Sequence, residues 1–179
     1  MKVKVRRRSV HPGPAPAGPE AKYDRALALA RNGREKNASR VLPLLRDAAN
    51  AGHAMAAHAL ATWYIHGIGV RRDFATAAKL EAQASRAGVA EAAFNLAYSY
   101  ESGKGVEKDE RRALRLYRRA ARLGDADAVY EVGRCIFYGI GAPKNERLGQ
   151  KWIDRAGSTE AARAENGRPV RKLDRARAK

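Results

Sequence analysis

Four sets of residues in this chain have the types and spacing to do chemistry. His53, His58 and His66 lie close together, as metal ligands do. A metal site of that kind needs a Glu at His-Glu-x-x-His spacing or a cysteine pair to complete it, and neither is present. Gly103-Lys104-Gly105 has the look of a phosphate loop but lacks the upstream glycine and the following Ser or Thr. Cys135 is the only cysteine, set between Arg134 and Ile136, and it is expected to pack rather than to act as a nucleophile. It also excludes an internal disulfide framework. Arg111, Arg115, Arg118 and Arg122 stand at i, i+4, i+7 and i+11, a single stripe on a helix with Arg112 and Arg119 beside it. Four arginines in line can track a phosphate backbone. Glu107, Asp109 and Glu110 lie within a turn of its start and are expected to answer part of the charge. None of these sets makes a catalytic constellation, so no enzyme, cofactor or metal site is expected.

The elements that would carry these residues are helices. Ala93, Leu96, Ala97 and Tyr100 recur at i, i+3, i+4 and i+7, and Ala113, Leu116, Tyr117 and Ala120 do the same after a glycine-rich turn. Each run is an amphipathic helix with one apolar face. Neither helix can bury that face alone, so the stretch from Gly88 to Gly124 reads as a helical hairpin that needs neighbours. The neighbours come by repetition at a period of 36 residues. Gly52, Gly88 and Gly124 share one position, Gly67, Gly103 and Gly139 a second, and Gly69, Gly105 and Gly141 a third, which Gly33 joins one repeat earlier. Asn37, Asp73, Asp109 and Asn145 form a column of helix caps, since Asp and Asn accept hydrogen bonds from first-turn amides. Core columns read Leu60, Leu96, Val132; then Leu44, Leu80, Leu116, Trp152; then Ala48, Ala84, Ala120, Ala156. Aromatic residues such as Tyr64, Tyr100, Tyr117 and Trp152 are expected to fill the gaps between hairpins. A period of this length marks a stacked helical array. The fold class is therefore all-α: a right-handed α-solenoid of three full hairpin repeats and one degenerate one.

The string from Ala92 to Asp109, followed by Ala113 and then Tyr117 to Gly124, resembles the Sel-one-like repeat, a relative of the tetratricopeptide repeat. Three copies match, from Gly52 to Ala87, Gly88 to Leu123 and Gly124 to about Ser158. A fourth, from about Lys22 to Ala51, keeps its second helix but has a degraded turn. In the third copy Ile136 replaces the usual tyrosine, Gly149 a core alanine and Ala142 the valine. These outer copies are expected to be caps. A secreted branch of the family staples each hairpin with a cysteine pair, which this chain lacks. The resemblance implies a solenoid that serves as a scaffold or adaptor for other proteins, and no enzyme.

Three parts follow from this reading: a basic, proline-rich disordered tail over 1–20, the solenoid over 21–158, and a basic C-terminal tail over 159–179. Helices are expected at about 22–31, 38–50, 54–65, 74–87, 90–101, 110–122, 126–137 and 146–156, with a short capping helix from Thr159 to Ala164. Ser9, after three arginines, has the look of a phosphosite. The opening basic run leads into no apolar segment, and no run approaches the length that spans a membrane, so a cytoplasmic location is expected. The formal net charge of +17 is enriched in both tails and favours acidic partners.

First helices of such hairpins line the concave side of a solenoid. Outside their core positions run Met55, Ala59, Thr62, His66, then Glu91, Asn95, Tyr98, Ser102, then Asp127, Glu131, Arg134, Tyr138. Thr62, His66, Asn95, Tyr98, Glu131, Arg134 and Tyr138 are the candidate residues for holding a peptide or protein partner there. His58, Phe94 and Tyr130, alongside, belong to the packing between helices. The second expectation, less favoured for want of interleaved aromatics, is RNA or ribosome binding through the tails and the Arg111, Arg115, Arg118 and Arg122 stripe.

Overall fold

The computed structural model describes residues 18–165, and the basic run, Ser9, most of the proline-rich stretch and the basic sequence after Glu165 lie outside them. Among the described residues there are eight α-helices and no strand: α1 (Pro19–Arg31), α2 (Ala38–Asn50), α3 (Ala54–His66), α4 (Phe74–Arg86), α5 (Ala90–Ser102), α6 (Glu110–Arg122), α7 (Ala126–Tyr138) and α8 (Glu146–Glu165). Each packs chiefly on the next along the chain, which stacks four hairpins into an all-α solenoid.

The punctuation works as the repeat demands. α3, α5 and α7 end at Gly67, Gly103 and Gly139, whose φ angles of 72°, 72° and 79° are left-handed and cost a Cβ-free residue nothing. The third glycine column has a second reason. A Cβ on Gly105 or Gly141 would come within 2.2 Å of the carbonyl oxygen of Phe74 or Glu110, at the start of the preceding second helix. These turns fold back onto the previous hairpin, and only glycine fits.

The cap column holds at three of four places. Asp73, Asp109 and Asn145 accept the amides of Thr76, Arg112 and Leu148 at 3.0, 2.8 and 2.9 Å. Asn37 does otherwise: its amide nitrogen donates to the carbonyls of Leu29 and Gly33, closing the C-terminus of α1. The turn between α1 and α2 is one residue shorter than its counterparts in the later hairpins. Two of the four first helices have side-chain caps of their own: His53 Nδ1 accepts the Ala56 amide and Asp125 accepts the Ala128 amide, both at 3.0 Å.

Successive second helices are tied by one repeated contact. Gln83 on α4 donates to the Ala49 carbonyl of α2 at 2.7 Å, and Arg119, 36 residues later, donates to the Ser85 carbonyl of α4 at 2.8 Å. Each satisfies an orphan carbonyl at the end of the previous second helix.

Leu60, Leu96 and Val132 are buried, as are Ala48, Ala84, Ala120 and Ala156. The Leu44, Leu80, Leu116, Trp152 column is only half-buried, at the edge of the core. The buried face of α2, α4 and α6 is centred one residue later, on Leu45, Glu81 and Tyr117. Where the third copy departs from its siblings, small residues bring α7 and α8 together: a Cβ on Gly133 would meet Ile153 at 2.8 Å, and one on Gly149 would meet Phe137 at 2.6 Å. α8 also runs on unbroken to Glu165, so the segment from Thr159 to Ala164 continues it rather than forming a separate cap. Gly157 keeps helical geometry there, and Ser158 Oγ donates back to the Asp154 carbonyl. α1 starts at Pro19, inside the stretch expected as tail, because proline at the first helical position gives up no hydrogen bond.

Candidate functional site

The stack leaves a groove of about 400 Å³ with α3 and α5 as walls and α4 as floor. Thr62, Ile65 and His66 face it from α3, and Phe94, Asn95, Tyr98 and Ser99 from α5. The floor is Phe74, Ala77, Ala78 and Glu81, and Lys104 closes one end. Lys104 Nζ lies 5.4 Å from the Tyr98 ring centroid and 3.5 Å from its hydroxyl. The lining is mostly apolar, with a few convergent polar groups, as ligand grooves are.

At the bottom sits Glu81, 1% exposed, in the position held by Leu45 one repeat earlier and by Tyr117 one repeat later. A lone buried carboxylate would be strongly unfavourable, and this one is fully satisfied. His58 Nδ1 lies 2.9 Å from one oxygen, and Asn95 Nδ2 donates to the other at 2.9 Å. The second ring nitrogen of His58 lies 3.5 Å from Glu91. Burial pushes His58 toward the neutral form, but Glu81 and Glu91 outweigh it and raise its pKa to about 9. Glu81 itself is raised above the ordinary carboxylate range by burial, with His58 and Asn95 pulling the other way. Imidazolium and carboxylate form a charged pair at neutral pH, and the Asn95 side chain is locked by it.

The equivalent position one repeat on, between α5, α6 and α7, is filled. Arg134 is paired with Glu131 (Nε to oxygen, 2.6 Å) and with Glu101 (2.5 Å). Glu101 also accepts the Tyr117 hydroxyl at 2.9 Å. Burial and the two glutamates raise the Tyr117 pKa above its usual value.

Four of the seven residues predicted for the concave side therefore meet on one groove: Thr62, His66, Asn95 and Tyr98. Glu131 and Arg134 are bound to each other in the next step, and Tyr138 is exposed on α7 with its ring against Phe137. The reading of the sequence missed Glu81 as the floor of the groove. Its signal was there, a charged residue in a column otherwise Leu45, Tyr117 and Ile153. His58 is in the inter-helix packing as expected, though as an ion pair, and Phe94 both lines the groove and meets the Tyr117 ring edge-on at 5.4 Å. His53, His58 and His66 do not converge: His53 caps α3 and pairs with Glu20 at 2.7 Å. Among the described residues no group of three or more His, Cys, Asp or Glu could hold a metal ion. Cys135 is fully buried, and burial pushes its thiol up to about 12.

The Sel1 repeat model matches residues 54–89, 90–125 and 126–158, more than half of the chain. The chain belongs to the Sel1 repeat family. The matched copies are the hairpins α3–α4, α5–α6 and α7–α8, so the groove lies at the junction of the first two. Solved Sel1 structures share the fold. A Sel1 repeat protein from Oxalobacter formigenes is 27% identical, with a TM-score of 0.75 over 79% of this chain and 59% of its own. The protective antigen c5321 of uropathogenic Escherichia coli, which displays the same fold, is 25% identical with a TM-score of 0.75, over 79% of this chain and 30% of its own. Helicobacter pylori cysteine-rich protein B is 28% identical with a TM-score of 0.53, over 57% of this chain and 77% of its own. This chain thus spans 59% of the length of the first of these relatives and 30% of the second, less than two thirds of either. Among curated proteins none matches it. Sel1 repeats generally act as protein-interaction scaffolds, and among the described residues no helix is long and apolar enough to cross a membrane.

Proposed function

We propose that the chain is a non-catalytic scaffold that holds a peptide segment of a partner protein in the groove between α3 and α5. The observation that supports this is the contrast between two equivalent positions: one is open and lined by Tyr98, Phe94, Ile65 and Phe74, the other is plugged by Arg134. Aromatic walls supply contact area at low entropic cost, and half-buried polar groups such as Thr62, Asn95 and Ser99 set the register of a backbone. Arg134 is not a direct anchor in this reading, because both its faces are taken by glutamates.

The test is affinity capture from nuclease-treated lysate with the full chain, followed by titration of the recovered partner. Tyr98→Ala is expected to weaken binding by about 1–3 kcal/mol, typical of an aromatic anchor. Capture of the same proteins with unchanged affinity by Tyr98→Ala would exclude the groove.

A further inference from the structure

The cations of α3 to α8 are sorted by helix, while the carboxylates are shared between first and second helices. α3, α5 and α7 carry Glu91, Glu101, Asp127 and Glu131 against a single Arg134. The second helices of the same repeats carry the cations: Lys79 and Arg86 on α4, six arginines on α6, and Arg147, Lys151 and Arg155 on α8 before the end of the repeat. At roughly 100° per residue, Lys79, Arg86, Arg111, Arg115, Arg118, Arg122, Arg147 and Lys151 all fall on the side of their helices opposite Glu81 and Tyr117. They recur in register. Lys79, Arg115 and Lys151 share one repeat position, Arg111 and Arg147 another, and Arg86 and Arg122 a third. All eight are exposed.

Most of the carboxylates that would answer this charge are engaged elsewhere. Glu81 is buried on the far side of α4. Of the three acidic residues expected to offset the arginine stripe, Asp109 caps α6, Glu110 pairs with Lys108 at 2.8 Å, and Glu107 is exposed and forms no ion pair with the stripe. Glu146 pairs with Lys144, and Asp154, which shares this face, accepts from Gln150. Among the described residues no ion pair reaches any of the eight cations. The face is continuous from α4 to α6, because Arg119 bonds the last carbonyls of α4. Like charges at i, i+4 destabilise a helix.

We propose that the outer face of α4, α6 and α8 binds the phosphate backbone of double-helical nucleic acid without reading its sequence. The arginine stripe on α6 runs about 16 Å, the length of about five base pairs. No exposed aromatic lies among the eight cations to stack on unpaired bases, which favours a duplex over a single strand. This surface is distinct from the groove, so either can fail alone.

The test uses the full chain and fluorescence anisotropy with generic RNA and DNA duplexes over a range of salt. One variant carries Arg111→Gln, Arg115→Gln, Arg118→Gln and Arg122→Gln, and a second carries lysine at the same four positions. The glutamine variant should melt like the parent, bind either duplex at least tenfold more weakly at low salt, and show a salt slope flatter by about 3. The lysine variant should bind within a few-fold of the parent. Unchanged binding by the glutamine variant would move any binding to the basic sequences outside the described residues and overturn the proposal. So would equal loss in the lysine variant, or stronger binding to phosphatidylserine vesicles than to either duplex.

Discussion

Two successive junctions of the same array have opposite contents. At α3–α4–α5 the equivalent positions hold His58, Ile65, Glu81, Asn95 and Tyr98; at α5–α6–α7 they hold Phe94, Glu101, Tyr117, Glu131 and Arg134. The first places its charged pair at the bottom, under one wall, and leaves space above it. The second places an aromatic ring at the bottom and spans the walls with an arginine. Repetition sets where a groove can form, and a few side chains decide whether it is open.

The largest effect should come from breaking the pair under the open groove. Glu81→Ala leaves His58 without its buried partner and is expected to cost about 3 kcal/mol in denaturant unfolding. The double change His58→Phe with Glu81→Leu, which removes both charges, should recover much of that. An equal loss in the double variant would mean that volume rather than charge matters here.

The same pair gives a pH dependence whose sign is fixed. His58 has its folded pKa raised to about 9 from an ordinary 6.5, so its contribution is fully present below pH 6.5 and fades as pH rises through 9. Chemical denaturation of the parent should show stability falling over that window, and the double variant should fall less. A parallel decline in both would remove His58 as its source.

Next in size is the plug. Arg134→Ala strands Glu101 and Glu131, and about 2 kcal/mol should be lost. It should also open a second groove. If melting is unchanged, the Glu101–Arg134–Glu131 network contributes nothing measurable.

The smallest change concerns the caps. Asp73→Ala and Asp109→Ala should each cost about 1 kcal/mol, the usual value for a lost N-cap. Asn37→Ala removes a different contact, the closure of α1, and should instead fray the first hairpin. Hydrogen exchange localised to α1 against α4 or α6 distinguishes the two.

What the amino-acid order determined on its own was everything that depends on local geometry and period. Glycine at a left-handed turn, Asp before a helix and an apolar residue every third or fourth place each act within one turn of the chain. Their repetition at 36 residues placed the helices and the repeats, and seven of the eight helices end within three residues of expectation. The candidate residues of the concave side were legible as a stripe, because a stripe needs only helical phase. Which of them meet was decided by the tertiary structure. Glu81 reads as a charged residue in an apolar column until α3 and α5 bring His58 and Asn95 to it from 23 residues before and 14 after. Arg134 reads as an exposed anchor until Glu101, 33 residues back, closes on it. Asn37 reads as the cap of the helix that follows and serves the one before. In the first two cases the partner lies beyond the reach of one helical turn, and its distance depends on how two helices cross.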